Sequence, residues 1–467
     1  MRARWWLVAV LVAIAVAPGV ALAHAGLVAA EPAPGSRVAE APAVVRLVLD
    51  APVETTFLSA SVRAPDGRVV SGPARRDPRV NRAILIPLRD APDGTLRVVW
   101  RALSQDGHPT GGTFVFGVGE APGTGAAATA TTRADDGPVA VIARLLALTA
   151  PLGLLGLVAL AAGVVGPAVR TGGIVAPGEA PAAADGFRAR AGDALAGASR
   201  GWWWAWWCLV AAGAVGLALI PAVALRGLRV GPGGLGDLLD HTRLGRAWWV
   251  QVVCLVSAAG VAVVLARGGE GVSRILAGRS WAWALGVPPA VALVAVSWSG
   301  HASTGGDRTP NMVIDALHSG ATAVWLGGLL GLATLVSPAV GRLADADRVR
   351  LAAAVVVRFS ALALAAVGVL VVTGVYRALA EVELGDILDT AYGRVLVVKL
   401  GLFAVLLVGG AYNRLMVHPR LERAALGLDP DDRGAAAALR VSVRAELVVA
   451  ALLLVSVAVL ISLPPPG

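Results

Sequence analysis

The chain has 467 residues, 57% of them hydrophobic and only 15% charged, where an ordinary soluble domain carries about 25% charge. Its net charge of +9 comes from arginines scattered between apolar runs, with Lys399 the single lysine, which excludes a basic nucleic-acid surface and fits the loops of a polytopic membrane protein. Cys208 and Cys254 both fall inside apolar runs, which excludes a disulfide framework.

Residues 1–23 read as a signal peptide. Arg2 and Arg4 precede an apolar run from Trp5 to Val16, then Pro18, Gly19 and an Ala21-Leu22-Ala23 cleavage site. The run is too short for a membrane span. Cleavage after Ala23 makes His24 the first residue of the mature chain. Its α-amine and imidazole Nδ1 can then close a chelate ring on a metal.

Residues 24–118 predict a small antiparallel β-sandwich. Short alternating runs such as "VVRLVLD" (44–50), "RAILIPL" (82–88), "LRVVWRALS" (96–104) and "TFVFGV" (113–118) are separated by Pro-Gly and Pro-Asp-Gly turns. Residues 119–138, rich in Gly, Ala and Thr, predict a flexible linker.

Residues 139–463 predict an all-α membrane domain of eight transmembrane helices, near 139–168, 203–225, 247–266, 281–299, 314–338, 351–376, 394–412 and 441–463. With the sandwich exported, the first span runs inward. The loops then read as inner hold fifteen arginines and those read as outer hold seven, in line with the positive-inside rule. "DLLDHTRLGRAWWVQ" (237–251) and "DILDTAYGRVLVVK" (386–399) echo each other four spans apart, the mark of a parallel four-plus-four repeat. The cluster "WWWAWW" (202–207) predicts an aromatic belt at the inner interface.

Two constellations could carry chemistry. In "SQDGHPTGG" (104–112), Asp106 and His108 flank a glycine in a tight turn. Added to the two nitrogens of His24, they make three nitrogens and one oxygen, a tetragonal set that suits Cu(II). In "SWSGHASTGGDRTPNMVIDALHSG" (297–320), His301 ends the fourth span and His318 lies about one turn into the fifth, with Met312 between them. Together, on the outer side, they read as the place where a metal would enter the membrane. Asp315 shares a helical face with His318. His241, His418 and Lys399 read as a solvated loop residue, a cytoplasmic loop residue and a snorkelling lysine.

"HAGLVAAEPAPGSRVAEAPAVVRLVLDAPV" followed by "VVWRALSQDGHPTGGTFVFGV" resembles the periplasmic copper-binding CopC family. The resemblance implies an immunoglobulin-like sandwich on which His24, Asp106 and His108 hold Cu(II). Some CopC members also have a methionine-rich Cu(I) site. No methionine lies within 24–118, so the resemblance implies a Cu(II)-only version. The stretch from 297, with "RFSALALAAVGVLVVTGVYRA" (358–378), "TAYGRVLVVKLGL" (390–402) and "SVRAELVVAALLL" (442–454), resembles the CopD membrane family over roughly 139–463.

The expectation is a CopC–CopD fusion in the cell membrane with its sandwich outside. It is not an enzyme, binds copper and no nucleic acid, and passes copper inward from an extracytoplasmic donor to a cytoplasmic acceptor, with Met312 the one nearby ligand of the kind that selects Cu(I). No nucleotide-binding G-x4-G-K motif is present. Three alternatives stand beside it. One is a copper sensor or buffer that moves no metal. Another is an oxidative copper enzyme, in which Asp106 would fill the position oxygen needs. The third is a haem electron carrier, for which two histidines near one face do not supply paired axial sets.

Overall fold

The computed structural model describes residues 27–49, 51–105, 107–122, 130–133, 137–174, 181–268, 271–300, 308–381, 387–428 and 432–463. The N-terminal part is a two-sheet sandwich. One sheet runs β1 (Leu27–Glu31), β3 (Val44–Leu49), β6 (Ala83–Pro87), β5 (Arg75–Arg76). The other runs β2 (Arg37–Val38), β8 (Pro109–Val118), β7 (Gly94–Ser104), β4 (Val53–Arg63). Alternation along each strand sends Val45, Leu47, Ile84 and Ile86 of the first sheet against Leu96, Val98, Trp100, Phe114 and Phe116 of the second, which closes the core.

Four residues of the segment read as a linker pair with the sandwich. Ala130–Arg133 forms β9, which pairs antiparallel with Thr110–Thr113 of β8. Its Ala-Thr-Thr run, with two β-branched residues, satisfies backbone groups that the edge of β8 would otherwise expose.

Eight helices are long and apolar enough to cross a membrane: α1 (Pro138–Arg170), α2 (Pro181–Leu228), α3 (Arg243–Arg267), α4 (Ser280–Ser299), α5 (Thr309–Val340), α6 (Asp345–Leu379), α7 (Ala391–Ala425) and α8 (Ala437–Ser462). They include every span read from the sequence to within one residue, the last ending at Ser462. α2 begins 22 residues before the expected start at 203, because Ala, Arg and Asp at 182–200 extend the same helix past the apolar run. α1 is central and packs against α2, α4, α5 and α8.

The tryptophan belt is a partial correction. Trp202 and Trp206, one turn apart, are fully buried and stacked at 5.2 Å, so they belong to the core of the bundle, while Trp204 faces outward.

Where α1 crosses α5, Gly156 meets the Ala323 carbonyl and Gly327 so closely that a side-chain carbon would overlap both. This small-residue crossing holds the helix that carries His318. Gly156→Ala is expected to cost about 1–3 kcal/mol through overpacking, read as a lowered unfolding temperature in detergent.

The internal echo has a structural counterpart. Thr242 and Thr390 each cap the following helix, accepting from the Gly245 and Gly393 N–H groups at 3.0 Å. Each glycine also lies under a backbone carbonyl of the preceding turn, Leu239 and Ile387. α3 then pairs with α4, as α7 does with α8.

Candidate metal centres

The sandwich is seated on the end of the bundle read as outer. Alternation along β7 puts Trp100, Ala102 and Ser104 inward and would leave Leu103 in water, yet Leu103 is fully buried. It packs with Phe57 of β4 against Ala224, Leu225 and Leu228 of α2, with Leu238 of the short helix Leu235–His241, and with Leu244 of α3. The Glu54 carboxylate accepts the Arg243 backbone N–H at 2.9 Å. An anion from the sandwich thus caps the first turn of α3, where the helix dipole favours negative charge. Burial and the neighbouring Arg229 push the Arg101 guanidinium below its ordinary value at this boundary.

The first candidate site sits at this seam. Ser104 N–H bonds to the His108 carbonyl, and Gly107 N–H to the Ser104 carbonyl, both at 2.9 Å, which closes the turn between β7 and β8. Gly107 has φ +84°, the left-handed region that glycine occupies without strain. A Cβ on it would lie 3.1 Å from Leu244 Cδ1, so the turn rests directly on α3. His108 is 4% exposed, which sets its imidazole within the protein and away from bulk water. His24 and Asp106 lie outside the described residues, so His108 is the one described member of this ligand set.

The second site is a polar ladder between α5 and α6. Asn311, Asp315 and His318 recur at helical spacing on one face of α5. Asn311 accepts from the Tyr376 hydroxyl at 3.1 Å, Asp315 pairs with Arg377, and His318 Nδ1 lies 2.9 Å from Thr373 Oγ1. Thr373 donates its hydroxyl proton to the Val369 carbonyl at 2.6 Å, so towards His318 it acts as an acceptor. With Thr373 as the acceptor, the Nδ1–H tautomer of His318 carries its ring lone pair on Nε2, the nitrogen through which a histidine so held can ligate.

Asp315 is thus committed to an arginine. Met312, expected beside His318, is half-buried but six residues away. That is about 9 Å along the axis and roughly a third of a turn off the His318 face. His301 lies outside the described residues. Among the described residues, no three His, Cys, Asp or Glu side chains gather as a ready metal cluster. His241 is exposed, 3.7 Å from Asp237, and His418 lies 3.7 Å from Glu422 on α7. Cys208 and Cys254 are free thiols.

Comparison with known proteins decides the family. The model of the CopC domain matches residues 27–119, and that of Copper resistance protein D, CopD, matches 353–460. The chain belongs to the CopC–CopD family. The copper transport protein CutJ of Bacillus subtilis (strain 168) is 27% identical over 481 residues, covering 100% of this chain and 78% of that protein. Protein YobA of Escherichia coli (strain K12) is 34% identical over 119 residues, 25% of this chain and 95% of its own length. Copper resistance protein D of Pseudomonas syringae pv. tomato is 28% identical over 236 residues, 49% of this chain and 71% of that protein.

The chain is thus of the copper resistance and transport family, a CopC domain followed by a CopD domain, with eight helices long and apolar enough to cross a membrane. The CopD match takes in Thr373 and Arg377 on α6, whereas His318 precedes it. Sequence reasoning missed Thr373, Arg377 and the Leu103–Leu244 seam. Thr373 offered a faint signal as a hydroxyl within the apolar run "VVTGV". The seam offered none, since a single leucine at the end of a strand is unremarkable.

Proposed function

We propose that the CopC domain binds Cu(II) outside the cell and delivers it to the CopD domain, which carries copper inward. After removal of residues 1–23, His24 supplies its amine and imidazole, and Asp106 and His108 complete three nitrogens and one oxygen. Met312, nearer the outer end of α5, meets copper before His318, whose Nε2 receives it, and His301 is a further ligand of this entry site. The observation that most supports delivery is the seat of the 104–108 turn on Leu244 at the head of α3. On this seat copper passes between domains across a protein boundary, without release into bulk solvent. The donor outside and the acceptor inside are separate copper-binding proteins.

The test is cellular copper content in a strain making the full chain. His318→Ala is expected to reduce copper accumulation to background while the purified protein still binds one Cu(II) at its CopC domain. Thr373→Val, which leaves the imidazole without its orienting acceptor, is expected to lower accumulation about 10-fold. Accumulation by His318→Ala equal to the parent's would remove His318 from the path.

A further inference from the structure

Delivery through the two histidine sites leaves one polar cluster in the membrane domain without a role. Glu446 on α8 is 5% exposed and lies nine residues, about 14 Å, beyond Ala437, in the half of the span read as inner. Its Oε1 accepts hydrogen bonds from Asn413 Nδ2 of α7 and, at 3.2 Å, from Ser442 Oγ. The recess around it is built from the backbone outward. Asn413 opens a π turn, Asn413–Val417, a wider coil that recurs at functional positions in helices. Gly409, one turn earlier, clears space, since a Cβ there would lie 3.2 Å from Glu446 Cγ and 3.4 Å from Oε1. Asn413 Oδ1 is buried and makes no hydrogen bond.

The charged groups on the surrounding elements are engaged elsewhere. Arg414 of α7 donates to Ser360, and Arg358 of α6 to the Ala354 carbonyl and Thr171. His418 faces Glu422, and Arg144 of α1 bonds Ser462 at the opposite end of α8. On α8 itself, Arg444 is exposed and Arg440 lies a turn and a half nearer the inner end. The side chains that hydrogen-bond to Glu446, Asn413 and Ser442, are both neutral.

We propose that Glu446, with Asn413 and Ser442, is the proton-exchange site of the CopD domain. The site satisfies both protonation states. As a carboxylate, Glu446 accepts from Asn413 and Ser442. On taking up a proton it becomes a carboxylic acid, and its new O–H is met by Asn413 Oδ1 once the amide turns over. One proton is bound or released and no electron moves. Three hard oxygen donors are a poor match for Cu(I), which favours thiolate and thioether sulfur, so the site is distinct from the copper path. That the proton is coupled to copper movement rests on the transport reading above. The protonation itself does not.

The test uses the full chain in membranes with dicyclohexylcarbodiimide, an apolar reagent that adds to protonated carboxyls in apolar surroundings. Mass spectrometry is expected to locate the adduct on Glu446, with labelling about 10-fold higher in mildly acidic than in alkaline buffer. Glu446→Gln removes the adduct and Glu446→Asp keeps it. Labelling that spares Glu446, or that ignores pH, overturns the proposal. In the same membranes under an imposed pH gradient, copper uptake by the parent is expected to follow the gradient and that of Glu446→Gln to ignore it. Uptake by Glu446→Gln that follows the gradient as the parent's does also overturns it. A parent that labels at Glu446 yet moves no copper overturns the transport reading and leaves the proton site standing.

Discussion

His108→Asn is expected to weaken Cu(II) binding by the full-length protein more than about 100-fold, beyond the loss that follows removal of an outer-shell partner. Electron paramagnetic resonance of the purified, processed chain, titrated with Cu(II), would show the nitrogen couplings disappear. Asparagine keeps a polar side chain at a position only 4% exposed and leaves Gly107 to set the turn, so the fold survives the change. A second variant separates ligand loss from any strain. One extra residue placed before His24 leaves the sandwich core untouched but converts the terminal amine to an amide, which opens the chelate ring. Both variants are expected to bind copper weakly, and the extended one to keep the parent's unfolding temperature. An unchanged spectrum in the extended protein would show that His24 is a bystander and that copper is held elsewhere.

Leu103→Asp is expected to detach the CopC domain from the membrane domain without unfolding either. Leu103 lies outside the sandwich core and packs instead with Leu225, Leu228 and Leu238. An aspartate there either ionises in an apolar seam, at a cost of several kcal/mol, or forces the two faces apart into water. Separation would also remove Glu54 from the first turn of α3 and reopen the Arg243 N–H. Hydrogen exchange should then rise at the start of α3 and in the short helix before it. Cu(II) binding by the sandwich should stay at the parent's affinity, while delivery slows on the order of 10-fold or more as a fixed contact is replaced by a tether. Parent-like delivery with a detached domain would mean that the seat plays no part in transfer.

The two histidine motifs were legible because they are local. A histidine after an Ala-Leu-Ala run, a D-G-H triplet and a histidine early in an apolar span are each contained within a few residues. Met312 shows the limit of that reasoning. It is near His318 in the chain, but the helical repeat turns it to another face. The partners of His318 and Asp315 lie more than fifty residues away on α6, and no periodicity in α5 names Thr373 or Arg377. Glu446 stood in plain view in "SVRAELVV", yet its meaning depends on Asn413, whose placement follows from a π turn in a different helix.

Taken alone, the sequence determined the sandwich, the eight spans, the types of ligand available and the fusion itself. Alternation, span length and residue chemistry are short-range properties: a strand's period is two residues, and a span is about twenty apolar residues because a bilayer is about 30 Å thick. Tertiary structure alone decided that the 104–108 turn rests on Leu244, that part of the linker becomes β9, and that His318 is oriented by Thr373. Each of these joins side chains or backbones from separate elements. Such pairings are selected by the burial of whole faces and the satisfaction of their polar groups, which no local window of the chain contains.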